Sequence, residues 1–257
     1  MTNFESKKVN TKFQCKSNEF TCNDGTCLDL EVRCNDKLDC SDESDEDNCE
    51  PIYINKRSYR KILAPIFDLH KTEISIIMDI RSITKIDEMA MTFEAEVHIH
   101  MIWRDRRIIF HDLKRDGTFL NKTWQDQIWL PSLYFSNAAG NIPISSGDTV
   151  GVKVLKQGIP NLKNVMELNE GNIFWGKEND LELNAKHEGL FRCNYKLSNF
   201  PFDTQRCSIN IKVPNEIKNF TIINPKQLIY SGTNNSIKLL YHNINITFDL
   251  IFVDLFD

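Results

Sequence analysis

The sequence lacks several features that would assign it to common classes of protein. No stretch supplies the roughly 20 apolar residues that a membrane-spanning helix needs, and the terminal run 246–256 is interrupted by Asp249 and Asp254. The first ten residues, MTNFESKKVN, are polar and contain no apolar core of a signal peptide. We therefore expect either a piece of a larger protein or a secreted protein whose leader is missing from this sequence.

Excess positive charge and catalytic motifs are also missing. The 31 basic and 36 acidic residues give a net charge of -5, which offers no general attraction for nucleic acid or an anionic membrane. The sequence shows no nucleophile–base spacing, zinc motif or phosphate-binding loop, so we expect neither enzymatic activity nor a nucleic-acid partner. The 257 residues, 41% of them hydrophobic, suit one medium domain and one small domain.

What the sequence does have is an uneven set of eight cysteines. An even count, with six of the cysteines in one short acidic segment, indicates disulfides formed in an oxidising compartment, although spacing alone does not choose their pairing. The early cysteines are Cys15, Cys22, Cys27, Cys34, Cys40 and Cys49, and the late ones are Cys193 and Cys207. Sequons support export and predict glycosylation at Asn121, Asn219, Asn234 and Asn245.

A motif marks the first fifty residues. The run Cys40-Ser-Asp-Glu-Ser-Asp-Glu precedes Cys49, and Phe13, Phe20 and Gly25 stand among the earlier cysteines. This pattern resembles a class A repeat of the low-density lipoprotein receptor. A module this small has almost no apolar core and depends on disulfides and a metal ion. The resemblance implies the pairs Cys15–Cys27, Cys22–Cys40 and Cys34–Cys49.

The same resemblance implies a structural Ca²⁺ ion, a hard cation that takes about six to eight oxygen ligands. Carried over by position, the ligands are the side chains of Asn35, Asp39, Asp45 and Glu46 and the carbonyls of Val32 and Lys37. Asn35 replaces the usual aspartate, which removes a charge and predicts weaker affinity. Val32 replaces an aromatic residue, at little cost because only its carbonyl is needed. A merely solvated acidic run is the alternative interpretation.

Beyond the cysteine-rich segment the pattern is typical of strands. From Thr92 to Trp103 apolar and polar residues alternate, as in a strand with one buried face. Further strands are predicted at Ile74–Ile80, Val152–Leu155, Asn172–Trp175, Leu181–Cys193, Cys207–Val213 and within Ile237–Phe252. With a short amphipathic helix at Tyr59–Leu69, these segments predict an all-β fold, an antiparallel immunoglobulin-like β-sandwich. The predicted divisions are the repeat at 14–50, a linker at 51–58 and a C-terminally incomplete β domain at 59–257.

Three motifs in the β domain identify a second resemblance. They are Trp103-Arg-Asp-Arg-Arg107, Trp129-Leu-Pro131 and the segment Cys193–Cys207, which encloses thirteen residues. Together they resemble the extracellular domain of Cys-loop pentameric neurotransmitter-gated ion channels. Ser132 departs from the family by replacing an aspartate, and Tyr195 by replacing an aliphatic residue. We expect Trp103 and Trp129 to pack in the core.

The second resemblance implies a Cys193–Cys207 disulfide, a homo- or hetero-pentamer, and a small-molecule ligand bound between subunits. Coupling to a pore is implied for Phe200, Pro201, Phe202 and Asp203. The implied location is the extracellular face of the plasma membrane, with a synapse as one option, held by membrane segments outside this sequence. A secreted, pore-less pentameric binding protein of the same fold is the alternative, and an endocytic or adhesion receptor is a weaker third. The repeat is available for an extracellular protein partner.

A candidate ligand site is carried over from the same family. Its residues are Tyr134, Phe135 and Ser136 in loop A, His98 and His100 in loop D, and Phe174 in loop E. The loop B position reads Ile-Lys-Val-Pro-Asn-Glu from Ile211, without an aromatic residue, which disfavours an aromatic box around a cationic amine. Loop C is not assigned, and the agonist and the ion selectivity stay open.

His98 and His100 also carry a hypothesis of their own. Two histidines at positions i and i+2 project from the same face of a strand, where they can share a metal ion or respond to pH. Two solvated or interface histidines are the plainer alternative.

Overall fold

A computed structural model gives the architecture of the chain. It describes residues 15–16, 19–66, 70–139, 143–144, 149–159, 173–196, 198, 205–214, 221–231, 237–242 and 247–252. These residues form mostly strands and almost no helix, which confirms the all-β prediction. Within the same ranges, no helix has the length and apolar character needed to cross a bilayer.

The N-terminal module contains a small antiparallel hairpin. Its strands are β1 (Glu19–Thr21) and β2 (Cys27–Asp29), and a single turn of 3-10 helix follows at Leu30–Val32. Three disulfides cross the module and join Cys15 to Cys27, Cys22 to Cys40, and Cys34 to Cys49. This is the pairing that the first resemblance implies. Because few apolar side chains of the module are buried, the disulfides supply most of its cross-linking.

The β domain follows, with thirteen strands in the described ranges. In chain order they are β3 (Ile52–Ile54), β4 (Thr72–Asp87), β5 (Thr92–Trp103), β6 (Ile108–His111), β7 (Thr118–Leu120), β8 (Tyr134–Phe135), β9 (Thr149–Leu155), β10 (Ile173–Trp175), β11 (Asp180–Arg192), β12 (Gln205–Lys212), β13 (Thr221–Tyr230), β14 (Ile237–His242) and β15 (Thr247–Phe252). One short helix, α1 (Lys122–Gln125), lies between β7 and β8.

The strands assemble into three sheets around a common core. Their orders are β13-β4-β5-β11-β9-β7, β14-β15-β12-β8 and β10-β6-β3. Phe135 of β8 meets Phe191 of β11 edge-on, with ring centroids 5.4 Å apart, so the four-stranded sheet packs against the six-stranded one. Phe93 of β5 stacks on Phe191, also at 5.4 Å. Two sheets joined by interdigitated aromatic rings are the core of a β-sandwich.

The alternation in β5 explains how one strand contributes so much of this core. Every second residue from Phe93 to Trp103 is buried, and the residues between them are half-buried. Each large apolar side chain removed from water in this way stabilises the fold by about 1.5–3 kcal/mol. The observed strand has the bounds that the alternation predicts.

The predicted helix at 59–69 is wrong for the part that the structure describes. Residues 59–66 form turns and irregular backbone, and 67–69 lie outside the described residues. Pro65 has no amide donor and disfavours helical backbone at Ala64. Tyr59 is buried and donates its hydroxyl hydrogen to Asp105 at 3.0 Å, so a contact with the core decides the path of this segment.

Other segments differ from their predictions in how they pair. Residues 52–54, within the expected linker, form β3, which pairs with β6 and buries Ile52. The predicted strand region at 237–252 forms an antiparallel hairpin of β14 and β15. β13 runs parallel to β4, so the six-stranded sheet is not wholly antiparallel. Alternation identifies a strand but does not name its partner, which depends on distant residues.

Candidate functional site

Two of the sequence motifs meet at one buried carboxylate beyond the end of β5. Asp105 has no exposed surface, and Arg107 donates to its oxygens from Nε at 2.9 Å and from Nη2 at 2.7 Å. The Tyr59 hydroxyl donates to Asp105 Oδ2 and accepts the backbone N–H of Trp129 at 2.8 Å. We call these residues, Tyr59, Asp105, Arg107 and Trp129, the Asp105 network.

The Asp105 network extends into the segment where a helix was expected. Arg107 Nη1 donates to the carbonyls of Leu63 at 2.9 Å and Arg60 at 3.4 Å, and the guanidinium lies 4.3 Å from the centre of the Tyr59 ring. Burial raises the pKa of Tyr59, and the carboxylate of Asp105 raises it further, so the phenol remains a donor at neutral pH. A fully partnered buried network of this kind is structural, and it holds the start of the domain against β5.

The tryptophans of these motifs are in the core, as expected. Trp103 and Trp129 are 2% and 4% exposed, and their rings meet at 80° with centroids 6.2 Å apart. Ser132, which departs from the usual Trp-x-Pro-Asp, is exposed.

Loop A runs along β8, next to β12. Phe135, also a predicted ligand contact, is 1% exposed because the alternation of the strand directs its side chain into the core. Tyr134 and Ser136 are half-buried and stay predicted ligand contacts. Asn137 Nδ2 donates to the Ser208 carbonyl at 2.6 Å, which fixes the end of loop A to β12.

In loop E the predicted contact is likewise buried. Phe174 of β10 has no exposed surface. Ile173 and Trp175 flank it and are half-buried. Trp175 is therefore the aromatic residue of this strand that reaches the surface. Neighbouring residues of a strand point to opposite faces, so burial of Phe174 directs Trp175 outward.

The loop B position follows directly on the same sheet. Lys212, the last residue of β12, is exposed and lies opposite Tyr134 of β8 in the antiparallel register. β15 pairs with the other edge of β12, so the hairpin β14–β15, loop A and the loop B position share one sheet. Tyr134 and Lys212 therefore lie side by side in this region.

His98 and His100 lie on one face of β5, and each pairs with a carboxylate. His98 Nε2 is 2.9 Å from Glu96 Oε1, and His100 Nδ1 is 2.8 Å from Glu182 Oε1 on the neighbouring strand β11. His98 holds the pKa of Glu96 below its ordinary value, and His100 does the same for Glu182. Four side chains with nitrogen and oxygen donors thus lie along one surface.

The implied calcium ligands converge on one hydrogen-bonded loop of the N-terminal module. Asn35 Nδ2 donates to Asp39 Oδ2 at 3.0 Å, and the Asn35 backbone N–H donates to Glu46 Oε1 at 2.7 Å. Asp45 accepts the backbone N–H groups of Asp39 at 2.8 Å and Cys40 at 3.1 Å. We call Asn35, Asp39, Asp45 and Glu46 the acidic cage.

The acidic cage fits a bound cation. Asp45 has no exposed surface, and no ion pair to it is found among the described residues. A buried carboxylate is costly unless a cation or several donors compensate it, and Ca²⁺ supplies that charge when bound. Two other groups of possible metal ligands contain cysteines that are all in disulfides, which removes their thiolates. The carboxylates and Asn35 therefore remain the better donors.

The base of the Cys193–Cys207 loop is fixed to the tip of the β4–β5 hairpin. The structure contains the disulfide, and Cys193 donates its backbone N–H to the Met91 carbonyl at 2.9 Å. Tyr195 donates its hydroxyl to the Thr92 carbonyl at 3.0 Å, and burial raises the pKa of Tyr195 to about 12. The predicted coupling residues, 200–203, lie outside the described residues.

The β4–β5 turn beside this disulfide carries an exposed apolar residue that lies outside the three sequence motifs. Met89 is 99% exposed at the tip of the turn, and Met91 is 42% exposed. The signal in the sequence was a pair of methionines between two strongly alternating strands.

Among the predicted glycosylation sites only Asn121 lies in the described part of the chain. Its side chain is exposed and caps α1 by accepting the Trp124 backbone N–H at 3.2 Å. An acceptor needs an exposed amide nitrogen, and the cap uses the oxygen, so Asn121 stays a predicted site. Asn219, Asn234 and Asn245 lie outside the described residues.

Comparison with known proteins assigns both parts of the chain. The family described as neurotransmitter-gated ion-channel ligand binding domain matches residues 53–227, and the low-density lipoprotein receptor domain class A matches residues 13–49. An acetylcholine-gated chloride channel subunit of Caenorhabditis elegans is 27% identical over 161 residues, which cover 61% of this chain and 29% of that protein. A γ-aminobutyric acid receptor subunit pi of Mus musculus is 24% identical over 193 residues, covering 75% of this chain and 37% of its own length.

The N-terminal module has a relative of its own. The vitellogenin receptor of Solenopsis invicta is 48% identical over 46 residues, which are 18% of this chain and 3% of that receptor. The chain thus spans less than two fifths of the length of each of these relatives. The family match covers more than half of the chain. The chain therefore belongs to the neurotransmitter-gated ion-channel ligand-binding domain family, and a low-density lipoprotein receptor class A domain precedes the family domain.

Proposed function

We propose that this chain is the extracellular part of a subunit of a pentameric ligand-gated ion channel at the plasma membrane. A small ligand binds between subunits, and the Cys193–Cys207 loop transmits its binding to a pore. The observation that carries the proposal is the contact of that loop with the β4–β5 turn. The Cys193 backbone N–H donates a hydrogen bond to the carbonyl of Met91, two residues from the fully exposed Met89. An exposed apolar residue is a natural contact for a membrane-embedded partner.

The ligand proposed for this site carries a negative group. Tyr134 and Lys212 lie opposite each other on β8 and β12, and no aromatic residue occupies the loop B position to surround a quaternary ammonium. A lysine ammonium beside a bound ligand favours a carboxylate on that ligand. An amino acid such as γ-aminobutyric acid, named for one of the relatives, fits this chemistry better than acetylcholine, named for another.

The test joins residues 1–257 to the pore segments of the chloride-channel relative and records currents from oocytes. We expect γ-aminobutyric acid to open the channel and acetylcholine to be weaker. We expect Met89→Asp to reduce the maximal current at least about tenfold without loss of surface protein, because a charge replaces the apolar contact. The matched control is Met91→Asp, which changes the less exposed methionine of the same turn and should have the smaller effect.

Two results distinguish the alternatives. A pentamer that binds the amino acid in solution, but gives no current when joined to the pore segments, supports the secreted pore-less binding protein. A chain that stays monomeric and binds neither compound contradicts the proposal.

A modulatory role of the histidine surface is the second proposal. Glu96, His98, His100 and Glu182 offer the nitrogen and oxygen donors that Zn²⁺ accepts, and both histidines are about one third exposed. We expect His98→Ala with His100→Ala to weaken zinc binding by the chain at least about tenfold, measured by calorimetry. His70→Ala, at an exposed histidine elsewhere, should leave binding unchanged. Equal zinc binding by all three proteins, or an unaltered response of the channel to zinc and pH, would make the proposal wrong.

A further inference from the structure

A buried ion pair joins the N-terminal module to the β domain. Arg33 of the module is 7% exposed and pairs with Asp112, the residue after β6. Within its own module the guanidinium lies 4.4 Å from the centre of the Phe20 ring and donates from Nη2 to the Asp47 carbonyl at 3.2 Å. Arg33 is therefore oriented by the module and extends from it onto the β domain as a fixed group.

Glu31 makes a second connection to the same part of the β domain. Its carboxylate Oε1 accepts the backbone N–H of Arg115 at 2.8 Å, and its carbonyl accepts from Lys114 Nζ at 3.1 Å. Just before Asp112, the His111 backbone N–H donates to the Pro51 carbonyl at 3.0 Å. Three residues of the connection between β6 and β7 (residues 112–117) thus contact the module: Asp112, Lys114 and Arg115. We call these contacts the docking surface.

The docking surface and the acidic cage are parts of one loop. Arg33 follows Val32, whose carbonyl is an implied calcium ligand, and stands two residues before Asn35. The Cys34 backbone N–H donates to the Asp45 carbonyl at 3.1 Å, which ties this loop to the carboxylate end of the cage. Glu46 of the cage also lines a cavity of about 410 Å³ between the two domains, together with Arg33, Asp112 and Lys114.

We propose that calcium controls the docking of the N-terminal module on the β6–β7 connection. Without the cation, three carboxylates of the cage repel one another in a module that has almost no apolar core, and the loop that carries Glu31 and Arg33 loses its shape. With the cation, both residues are positioned for the docking surface. By linkage, docking in turn tightens calcium binding by the same factor.

This proposal goes beyond the ligand-gated function and does not depend on it. The docking surface lies between the module and the β6–β7 connection, whereas the proposed ligand site lies on β8 and β12. Each proposal can therefore fail while the other holds.

The Arg115 backbone N–H is a direct reporter of docking. Amide hydrogen exchange in peptides that contain Arg115 is measured on the 257-residue chain, at about 1 mM calcium and then with a chelator. We expect exchange at Arg115 to become at least about tenfold faster after chelation, because its acceptor Glu31 moves away. Unchanged exchange at Arg115 in a protein that demonstrably binds and releases calcium would overturn the proposal.

Variants separate docking from the cage itself. Arg33→Met keeps an unbranched side chain beside Phe20 but removes the charge, so we expect fast exchange at Arg115 with and without calcium. We also expect calcium affinity, measured by calorimetry, to fall about tenfold. The matched control is Arg57→Met at an exposed arginine, which should behave as the unaltered chain in both measurements.

A second variant approaches the ion pair from the β domain. Asp112 has a positive φ of 47°, a conformation that asparagine tolerates, so Asp112→Asn removes the charge with little strain. It should reproduce both effects of Arg33→Met while all three disulfides of the module remain intact by mass spectrometry. If either correctly disulfide-bonded variant keeps the full calcium response at Arg115, the ion pair does not connect the cage to docking and the proposal is wrong.

Discussion

Replacing Asp105 by alanine is expected to lower the free energy of unfolding by about 3–5 kcal/mol, because it leaves a half-buried arginine without its carboxylate. Arg107 makes its two side-chain contacts with Asp105 at 2.7 and 2.9 Å, and the carboxylate has no exposed surface. The Tyr59 hydroxyl loses its acceptor at the same time. Unfolding by denaturant, followed by tryptophan fluorescence, measures the change in the free energy of unfolding. Trp129 belongs to the Asp105 network, and the Trp103 ring packs against the Trp129 ring.

The matched control is another aspartate paired with an arginine, but at the surface. Asp180 Oδ1 accepts from Arg104 Nε at 2.6 Å, with 19% and 42% of the two side chains exposed. Because solvent screens such a pair, Asp180→Ala should cost about 1 kcal/mol or less. Similar losses from both substitutions would contradict the assignment of Asp105 as the centre of a buried network.

A more conservative substitution examines the other end of the Asp105 network. Tyr59→Phe removes the hydroxyl that donates to Asp105 and accepts from Trp129, and leaves the buried ring in place. The Trp129 backbone N–H is then buried without a partner, so we expect the free energy of unfolding to fall by an intermediate amount, about 1–3 kcal/mol. An effect as small as that of Asp180→Ala would show that this hydroxyl does not connect the two motifs.

The sequence was most informative where a regular pattern and a motif coincide. The alternation from Thr92 to Trp103 predicts the bounds and the buried face of β5, and the motif that follows contains Asp105 and Arg107, which the structure shows as a buried ion pair. Both signals are local, because a strand face is decided by neighbours two residues away. The cysteine pattern likewise predicts the module, with its pairing implied by resemblance to a known repeat.

Long-range contacts decided the features that the sequence did not predict. Tyr59 is drawn to Asp105, forty-six residues later, and this contact replaces the expected helix. Phe174 and Trp175 are adjacent in a strand of three residues. That strand is too short for alternation to indicate which of the two aromatic side chains faces the core. The ion pair of Arg33 with Asp112 joins two domains whose sequences carry no shared motif.

Replacing Gly176 by alanine is the other substitution with a large expected effect. A Cβ added there would lie 2.1 Å from the Asp105 carbonyl oxygen and 2.7 Å from that of Ile108, and both are backbone atoms that cannot rotate away. The Gly176 backbone N–H donates to the same Ile108 carbonyl at 3.0 Å, so the turn after β10 must part from the start of β6. We expect a loss of about 3 kcal/mol or more in the free energy of unfolding.

Gly151 provides the matched control, because it lies in β9 and a Cβ there would meet nothing within 4 Å. Gly151→Ala should leave stability unchanged or raise it by about 0.4–1 kcal/mol, through the restricted unfolded chain. Equal stability of Gly176→Ala and Gly151→Ala would show that the approach of the two carbonyls is not a constraint. The double substitution with Asp105→Ala should cost less than the sum of its parts, because Gly176 contacts the backbone of the same residue and both changes loosen one junction between β5, β6 and β10.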